Sequence, residues 1–532
     1  VKTVANLLPA LLLLVIGLLW PMGELVLQTF VGVDDLTPLL HSPWIRDALG
    51  FTLWQATLST LLSVGLALPL ALLMAGRRWP GRSLLLALST LPFALPSVLV
   101  AFAFVLAFGR SGLVNHLLRS DIALLYNPFA VVAAHLFFNL PFALRHLLDA
   151  VETIPLEQRR SAELLRLGAL TRTRVVIWPH IRGTVATLLL LILILCLSSF
   201  AVVLILGGGP QATTLEVAIY QLLRFDANTS GAALLALGQL ILLLPAVFLY
   251  RHLARSTPSR QQGTGGKRLP PLPMNALPFG FRATGLIALS LYGLFLTLPL
   301  AALLLDGLRD APRSITTLTS ETTATALGNS FALALPAALV GTLVSWLFAR
   351  GIAALERHRP TLAATIGDSI WFLMGVSPTV LTLGWILLLT RHEYDPFNHP
   401  YLPILLVHTL LALPLSIRIL LPHLRRIETT FDRSALSLGL GPLLRMRFVE
   451  WPELRRPLLS ALLVAFAFSF GDVSCILMFG GGTYTTLPMH IFELMGAYRF
   501  GAAALASIAL AALCVGFFWL SELRASPEER KP

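Results

Sequence analysis

Twelve apolar runs, each about the ~20 residues a helix needs to cross ~30 Å of hydrocarbon, follow one another along the chain, separated by charged or Gly/Pro-rich breaks. They lie near 6–28, 51–76, 84–108, 127–149, 184–206 and 232–252, then near 283–306, 329–350, 366–390, 401–423, 457–479 and 501–521. A backbone inside lipid must satisfy its own N–H and C=O groups, so each run is expected to be helical and the chain to be an all-α polytopic membrane protein. With 56% hydrophobic and only 12% charged residues, no stretch keeps the mixed composition of a separate soluble domain. The first run, from Asn6 to about Phe30, is too long for a cleaved signal peptide and is expected to stay as the first helix.

The formal net charge of +12 points to membrane topology, not to nucleic acid, because Lys and Arg sit mainly in short loops. The loops after spans 2, 4, 6, 8 and 10 are the basic ones, and the alternate loops carry Asp34, Asp35, Asp306, Glu321 and Asp395. Basic loops are retained on the cytoplasmic side, so both termini are expected to be cytoplasmic. Cys196, Cys475 and Cys514 each lie in an apolar run without disulfide or metal-ligand spacing, which leaves them as small core residues. No nucleophile–base pair or metal-binding cluster suggests an enzyme. The Gly265-Gly266-Lys267 triplet has Gln261 where a phosphate-binding loop needs glycine, so no bound nucleotide or other cofactor is expected in this chain.

A repeat divides the chain. His135, Leu140, Pro141 and Arg145 recur as His408, Leu413, Pro414 and Arg418, a constant shift of 273 residues. The same shift carries Arg160, Ser161 and Ala162 onto Arg433, Ser434 and Ala435, and Gly168, Arg172, Arg174, Val176, Trp178 and Pro179 onto Gly441, Arg445, Arg447, Val449, Trp451 and Pro452. Leu/Ala-rich helices resemble one another by chance, but chance does not hold His, Trp, Pro and Arg in register. Two homologous six-helix halves are expected at 1–253 and 281–532, joined by a basic Pro/Gly-rich cytoplasmic linker at 254–280. Six spans per half give both the same orientation, hence a parallel pseudo-two-fold along the membrane normal and a central pathway.

The repeat is strongest outside the lipid, in the segments 151–183 and 424–456 between spans 4 and 5 of each half. At about thirty residues these exceed the two to eight a connector needs. Helices are expected at Leu156–Leu167 and Thr429–Leu438, either lying on headgroups or fitting a partner's groove, and one copy per half favours a partner present twice.

These segments resemble the signature cytoplasmic loop of ABC importer permeases, Glu-Ala-Ala, three residues, Gly, and a hydrophobic-x-hydrophobic-Pro ending. Arg433, Ser434 and Ala435 fill its first three places, Gly439 the turn, and Val449, Trp451 and Pro452 the ending, with Arg160, Ser161, Ala162, Arg166, Val176, Trp178 and Pro179 matching in the first half. Arg replaces the Glu in both halves, and Arg166 replaces the turn glycine in the first, where Gly168 is the candidate substitute. The resemblance implies a type I importer permease fold in which these segments are coupling helices docked on two copies of a cytoplasmic ABC ATPase, where ATP and Mg would be bound. It also implies a periplasmic substrate-binding protein and an inner-membrane location. Leu206–Gln221 and His135–Arg145 look most like thiamine importer permeases, related to the ferric-iron permeases, and that likeness implies thiamine or its phosphates as cargo.

Asp472 is the most informative residue within a span, and Ser199 is its first-half counterpart. A carboxylate there either attracts a cationic ring in the pathway or makes an interhelical hydrogen bond. His135 and His408 read as packing residues; Asp368 and Asn139 are polar groups with the same ambiguity as Asp472. Gly207–Gly209 and Gly480–Gly482, on the expected external side, are either gate elements or ordinary turns. Trp178 and Trp451 suit interface anchoring as well as coupling. A rival reading is an ion-coupled secondary transporter, which would place its coupling groups inside the spans instead of repeating a loop after span 4.

Overall fold

The computed structural model describes residues 2–31, 41–79, 81–122, 125–207, 209, 212–256, 272–273, 279–431, 438, 441–480, 482 and 484–524. Among them, eleven helices are long and apolar enough to cross a membrane, or twelve when one bent pair counts as a single span. Span 1 is Leu7–Phe30, span 2 Pro43–Met74, span 4 Pro128–Glu152, span 5 Leu170–Leu197 and span 6 Thr229–Ala254. In the second half, span 7 is Arg282–Leu318, span 8 Glu321–Glu356, span 10 Tyr401–Thr430, span 11 Met446–Gly471 and span 12 Phe500–Leu520.

Four of the sequence-predicted helices are not continuous. The run at 84–108 is divided among helices Arg82–Leu88, Leu91–Ala94 and Ser97–Phe108, and the span itself, span 3, is Ser97–Leu118. Span 9 is Pro360–Leu373 plus Pro378–Arg391, bent by 89°. Proline explains both, because it pushes the preceding residue out of the helical region: Leu95, before Pro96, has φ −93° and ψ 133°, and Ser377, before Pro378, has φ −70° and ψ 156°. Ser377 then caps the new helix, its hydroxyl accepting from the Val380 N–H at 3.2 Å. The runs at 184–206 and 457–479 also break: helices end at Leu197 and Gly471 and resume as Ala201–Leu206 and Ser474–Phe479.

The repeat is visible in three dimensions at its sequence register. Spans 4 and 10 begin at Pro128 and Tyr401, five-residue π-helical turns occupy Thr173–Ile177 and Met446–Glu450, and the resumed helices start at Ala201 and Ser474, all 273 apart. A short helix follows each, Leu215–Arg224 and Leu487–Gly496. Its first N–H is held in each half by a hydroxyl from the second helix of that half: Leu215 N donates to Thr52 Oγ1 at 2.9 Å and Leu487 N to Ser330 Oγ at 2.8 Å.

The halves exchange their first spans. Span 1 packs on span 6 of its own half but also on spans 8, 9 and 10 of the other, while span 7 packs on span 12 and on Ser97–Phe108 of the first half. Small residues permit the close crossings: a Cβ on Gly17 would meet Leu410 Cδ1 at 2.7 Å, and one on Gly384 would meet the Pro21 carbonyl at 2.9 Å. Polar links pin the exchange. Trp385 Nε1 donates to the Gly17 carbonyl at 3.0 Å, Arg391 pairs with the buried Glu24 at 2.9 Å, and Tyr292 OH meets Ser89 Oγ at 2.8 Å.

The helix of span 6 continues to Ser256 and the next helix begins at Phe279, so the ends of the 254–280 segment are helical. Of the residues between, Leu272 and Pro273 are described, pairing in parallel with Arg77 and Arg78 in the loop after span 2.

Candidate functional site

In the first half, the segment after span 4 forms the helix Leu156–Leu164. It ends in a left-handed turn: Leu165 N donates to Ser161 O at 3.0 Å, Leu167 N to Ala162 O at 3.1 Å, and Arg166 between them has φ 47°. Arg166 itself therefore supplies the positive φ expected of Gly168. Gly168 instead opens the next short helix, its carbonyl accepting from Arg172 N at 2.9 Å. Ala162 is buried under the segment, whereas Arg160, Ser161, Arg166, Gly168 and Pro179 are exposed. Leu164, Leu165 and Leu170 are also exposed, at 84%, 71% and 84%. These apolar side chains, at and just before the start of span 5, are turned outward in a cluster suited either to a partner's groove or to lipid headgroups.

Polar groups tie the segment to the spans. Arg159 donates to the Val151 carbonyl, and Glu152 accepts from Arg82 at 2.9 Å and from Gly76 N at 3.3 Å. In the second half Arg433, Ser434, Ala435 and Gly439 lie outside the described residues, as does most of the helix expected at Thr429–Leu438; Thr429 and Thr430 are the last residues of span 10. Gly441, Pro452 and Leu438 are described and exposed. Here Arg445 bridges Glu428 at 2.9 Å and Glu450 at 3.2 Å, and Arg350 reaches Glu450 at 3.1 Å. Arg172 is the first-half equivalent of Arg445, but Pro155 and Ile177 stand where the two glutamates would be.

The second group of candidates lies along the seam between the halves. The break at Pro96, just before span 3, meets the end of span 11, since a Cβ on Gly471 would touch Pro96 Cγ at 2.9 Å. The next residue is Asp472. Its Oδ2 lies 3.2 Å from His408 Nε2, the other imidazole nitrogen lies 2.7 Å from Ser469 Oγ, and the carboxylate accepts from Ser474 N at 3.3 Å and Cys475 N at 3.0 Å. The pseudo-symmetric position is as expected from the repeat: Ser199 Oγ sits 2.9 Å from His135 Nε2, with Ser59 Oγ 3.4 Å from Nδ1. Both histidines are thus hydrogen-bonded across helices and both expected pathway residues belong to these networks. His408, Asp472 and Cys475 bring one donor atom each within 4.8 Å of one another, but the carboxylate is already engaged by the imidazole and two backbone N–H groups.

Asp368 is paired with Arg251 of span 6, across the halves, at the edge of an apolar cavity of about 350 Å³ lined by Leu14, Leu18, Val247 and Trp371. Asn139 donates to Cys196 Sγ at 3.3 Å. Of the glycine triplets, Gly209 and Gly480 have φ 119° and 92°. Gly480 lies against Arg224, which crosses from the first half and also stacks 5.4 Å over Phe397.

Sequence reading missed the amides that repair span 5. A helix ending inside a membrane leaves carbonyls without partners. Gln55 Nε2 donates to Cys196 O at 3.0 Å and Gln239 Nε2 to Leu197 O at 2.8 Å. It also missed Glu216, fully buried at the first turn of Leu215–Arg224, whose Oε1 accepts from Gln239 Nε2 at 3.0 Å. The available signal was a carboxylate in the apolar stretch Leu215–Tyr220 where the second copy has Pro488.

The sequence matches the family described as binding-protein-dependent transport system inner membrane component over residues 67–257 and again over 330–524. It is 35% identical over 486 residues to a thiamine transport system permease protein ThiP of Brucella abortus, covering 90% of this chain and 87% of that one. It is 33% identical over 495 residues to the protein of the same name in Escherichia coli, covering 92% and 91%. A sulfate transport system permease protein CysW of Synechococcus elongatus matches more narrowly, 30% identical over 200 residues, 35% of this chain and 70% of that one.

Proposed function

The chain belongs to the binding-protein-dependent transport system inner membrane component family, and from that premise we propose that it is the permease of an ATP-driven importer carrying thiamine or thiamine phosphates. The cargo is taken from the thiamine permeases that it resembles along nearly its full length. The coupling role rests on one observation, the helix Leu156–Leu164 and its left-handed turn, which hold Leu164, Leu165 and Leu170 out to solvent.

Members of this family work with an ATPase and a substrate-binding protein. In our reading two ATPase copies grip the two segments, with ATP and Mg bound there, the chain itself performs no catalysis, and both termini are cytoplasmic. ATP-driven closure of the pair displaces the doubled segments. Rigid spans 4, 5, 10 and 11 carry that displacement to the seam, where the breaks at Pro96 and Ser377 let the halves part. The binding protein releases its cargo into the space so opened, on the side of Gly207–Gly209 and Gly480–Gly482.

The test is ATP hydrolysis by the reconstituted complex. Binding protein loaded with thiamine or its phosphates is expected to stimulate it several-fold, and ferric-loaded or empty protein not to. Stimulation by a ferric-loaded protein alone would replace the cargo, and hydrolysis indifferent to any binding protein would overturn the reading.

A further inference from the structure

Among the described residues, Glu216 stands apart from the other buried acids. Asp472 is held by an imidazole and two N–H groups, Glu450 and Glu24 by arginines. Glu216 is 0% exposed and forms no ion pair among the described residues. Oε1 is hydrogen-bonded by Gln239 at 3.0 Å and the buried Oε2 has no well-formed hydrogen bond, with the Ser377 side chain beside the carboxyl, so burial pushes its pKa up to about 8. A carboxylate so placed is costly, and a packing role would be served by an apolar residue, as Pro488 serves at the equivalent position of the second half.

Its position gives the cost a use. The helix Leu215–Arg224 packs on spans 2 and 6 of its own half, and on Pro378–Arg391 and Ser474–Phe479 of the other. Glu216 is therefore on the seam, with the Ser377 side chain facing it from the second half. Ser377 is the N-cap of Pro378–Arg391, so the group beside the Glu216 carboxyl sits at the amino end of a fourteen-residue helix of the other half while the halves are together.

We infer that Glu216 is the cation-recognising group of the pathway, bonded to the positively charged heteroaromatic ring of the cargo when the seam opens and returned to the Ser377 helix end when it closes. The inference deepens the thiamine reading and rests on it. The exchange moves one proton and makes no other covalent change: burial beside Ser377 holds the carboxyl protonated in the closed state, and it gives that proton to water as the seam opens, leaving the anion that bonds the ring cation.

The test uses the complete importer, permease with its ATPase and thiamine-loaded binding protein, in proteoliposomes. Thiamine uptake, ATP hydrolysis and melting temperature are measured for the wild type, Glu216→Gln and Glu216→Asp. Glu216→Gln keeps shape and the Gln239 contact but loses the charge. It is expected to cut uptake per ATP by about tenfold or more, the size of one charge-assisted bond, with hydrolysis and melting near wild type; Glu216→Asp is expected to recover most of the uptake. Uptake by Glu216→Gln at the wild-type rate overturns the inference. So does a joint fall of uptake, hydrolysis and melting temperature in both variants, which assigns Glu216 to packing. A wild type that hydrolyses ATP yet moves no thiamine overturns the cargo assignment and the inference with it.

Discussion

Spans 5 and 11 break at the same register, and the two halves repair the break with different chemistry. In the first half, neutral groups do it: Gln55 and Gln239 bond the freed carbonyls of Cys196 and Leu197, and His135 bridges Ser59 and Ser199. In the second half, a carboxylate does it: Asp472 caps the resumed helix and reaches His408, which also holds Ser469. The helix ends thus have to be satisfied in both copies, whereas the groups that satisfy them are free to diverge. The segments after spans 4 and 10 differ in the same sense, with Arg445 clamped by Glu428 and Glu450 where Arg172 has Pro155 and Ile177 in their places.

The comparison predicts unequal sensitivity. His408→Leu strands a buried carboxylate and is expected to cost about 3–5 kcal/mol, against about 1–3 kcal/mol for His135→Leu, which strands only hydroxyls. Melting of the two purified variants side by side checks this, and equal losses would show that Asp472 carries no more of the fold than Ser199. Gln239→Leu, which frees both the Leu197 carbonyl and Glu216 Oε1, should fall next at about 1–3 kcal/mol, while the same change at Gln55 should cost less because one carbonyl alone is freed. Denaturant titration in detergent separates these two. Ser199→Ala should cost about 1 kcal/mol, and a loss matching that of Asp472→Ala would abolish the distinction between the halves.

The smallest effect is expected at Arg166→Gly. Removing the Cβ from a residue at φ 47° relieves about 1 kcal/mol of backbone strain, set against glycine's greater freedom when unfolded, so the melting temperature should hold or rise slightly. A clear drop in melting would mean that the Arg166 side chain, not the turn, stabilises the segment.

Hydropathy and the repeat carried most of the architecture, because lipid enforces helix length and a constant shift enforces symmetry. Where prediction failed, the cause was local. Pro96 and Pro378 were present in the apolar runs, but hydropathy counts residues without asking which can continue a helix. The ends at Leu197 and Gly471 carry no breaker as plain as proline and depend on polar partners from distant spans. His135–Ser199 and His408–Asp472 were legible as repeat positions, though not as bonded pairs. Glu216 was missed because the comparison of copies rewards what recurs, and Glu216 is opposed by Pro488. Arg166 taking the glycine's turn was missed because a propensity was read as a prohibition, and Arg at positive φ costs only about 1–2 kcal/mol.

The central claim is that both loops between the fourth and fifth spans of each half meet ATPase subunits. Single cysteines at Leu165 and Leu444, in a chain whose own three cysteines are replaced, allow the most direct measurement, crosslinking in inverted membrane vesicles. The account predicts that each position joins an ATPase subunit and that membrane-impermeant thiol reagents reach both from the cytoplasmic face before the subunits are added. Labelling of either cysteine from the periplasmic face of intact cells, or crosslinking at one loop alone, would contradict it.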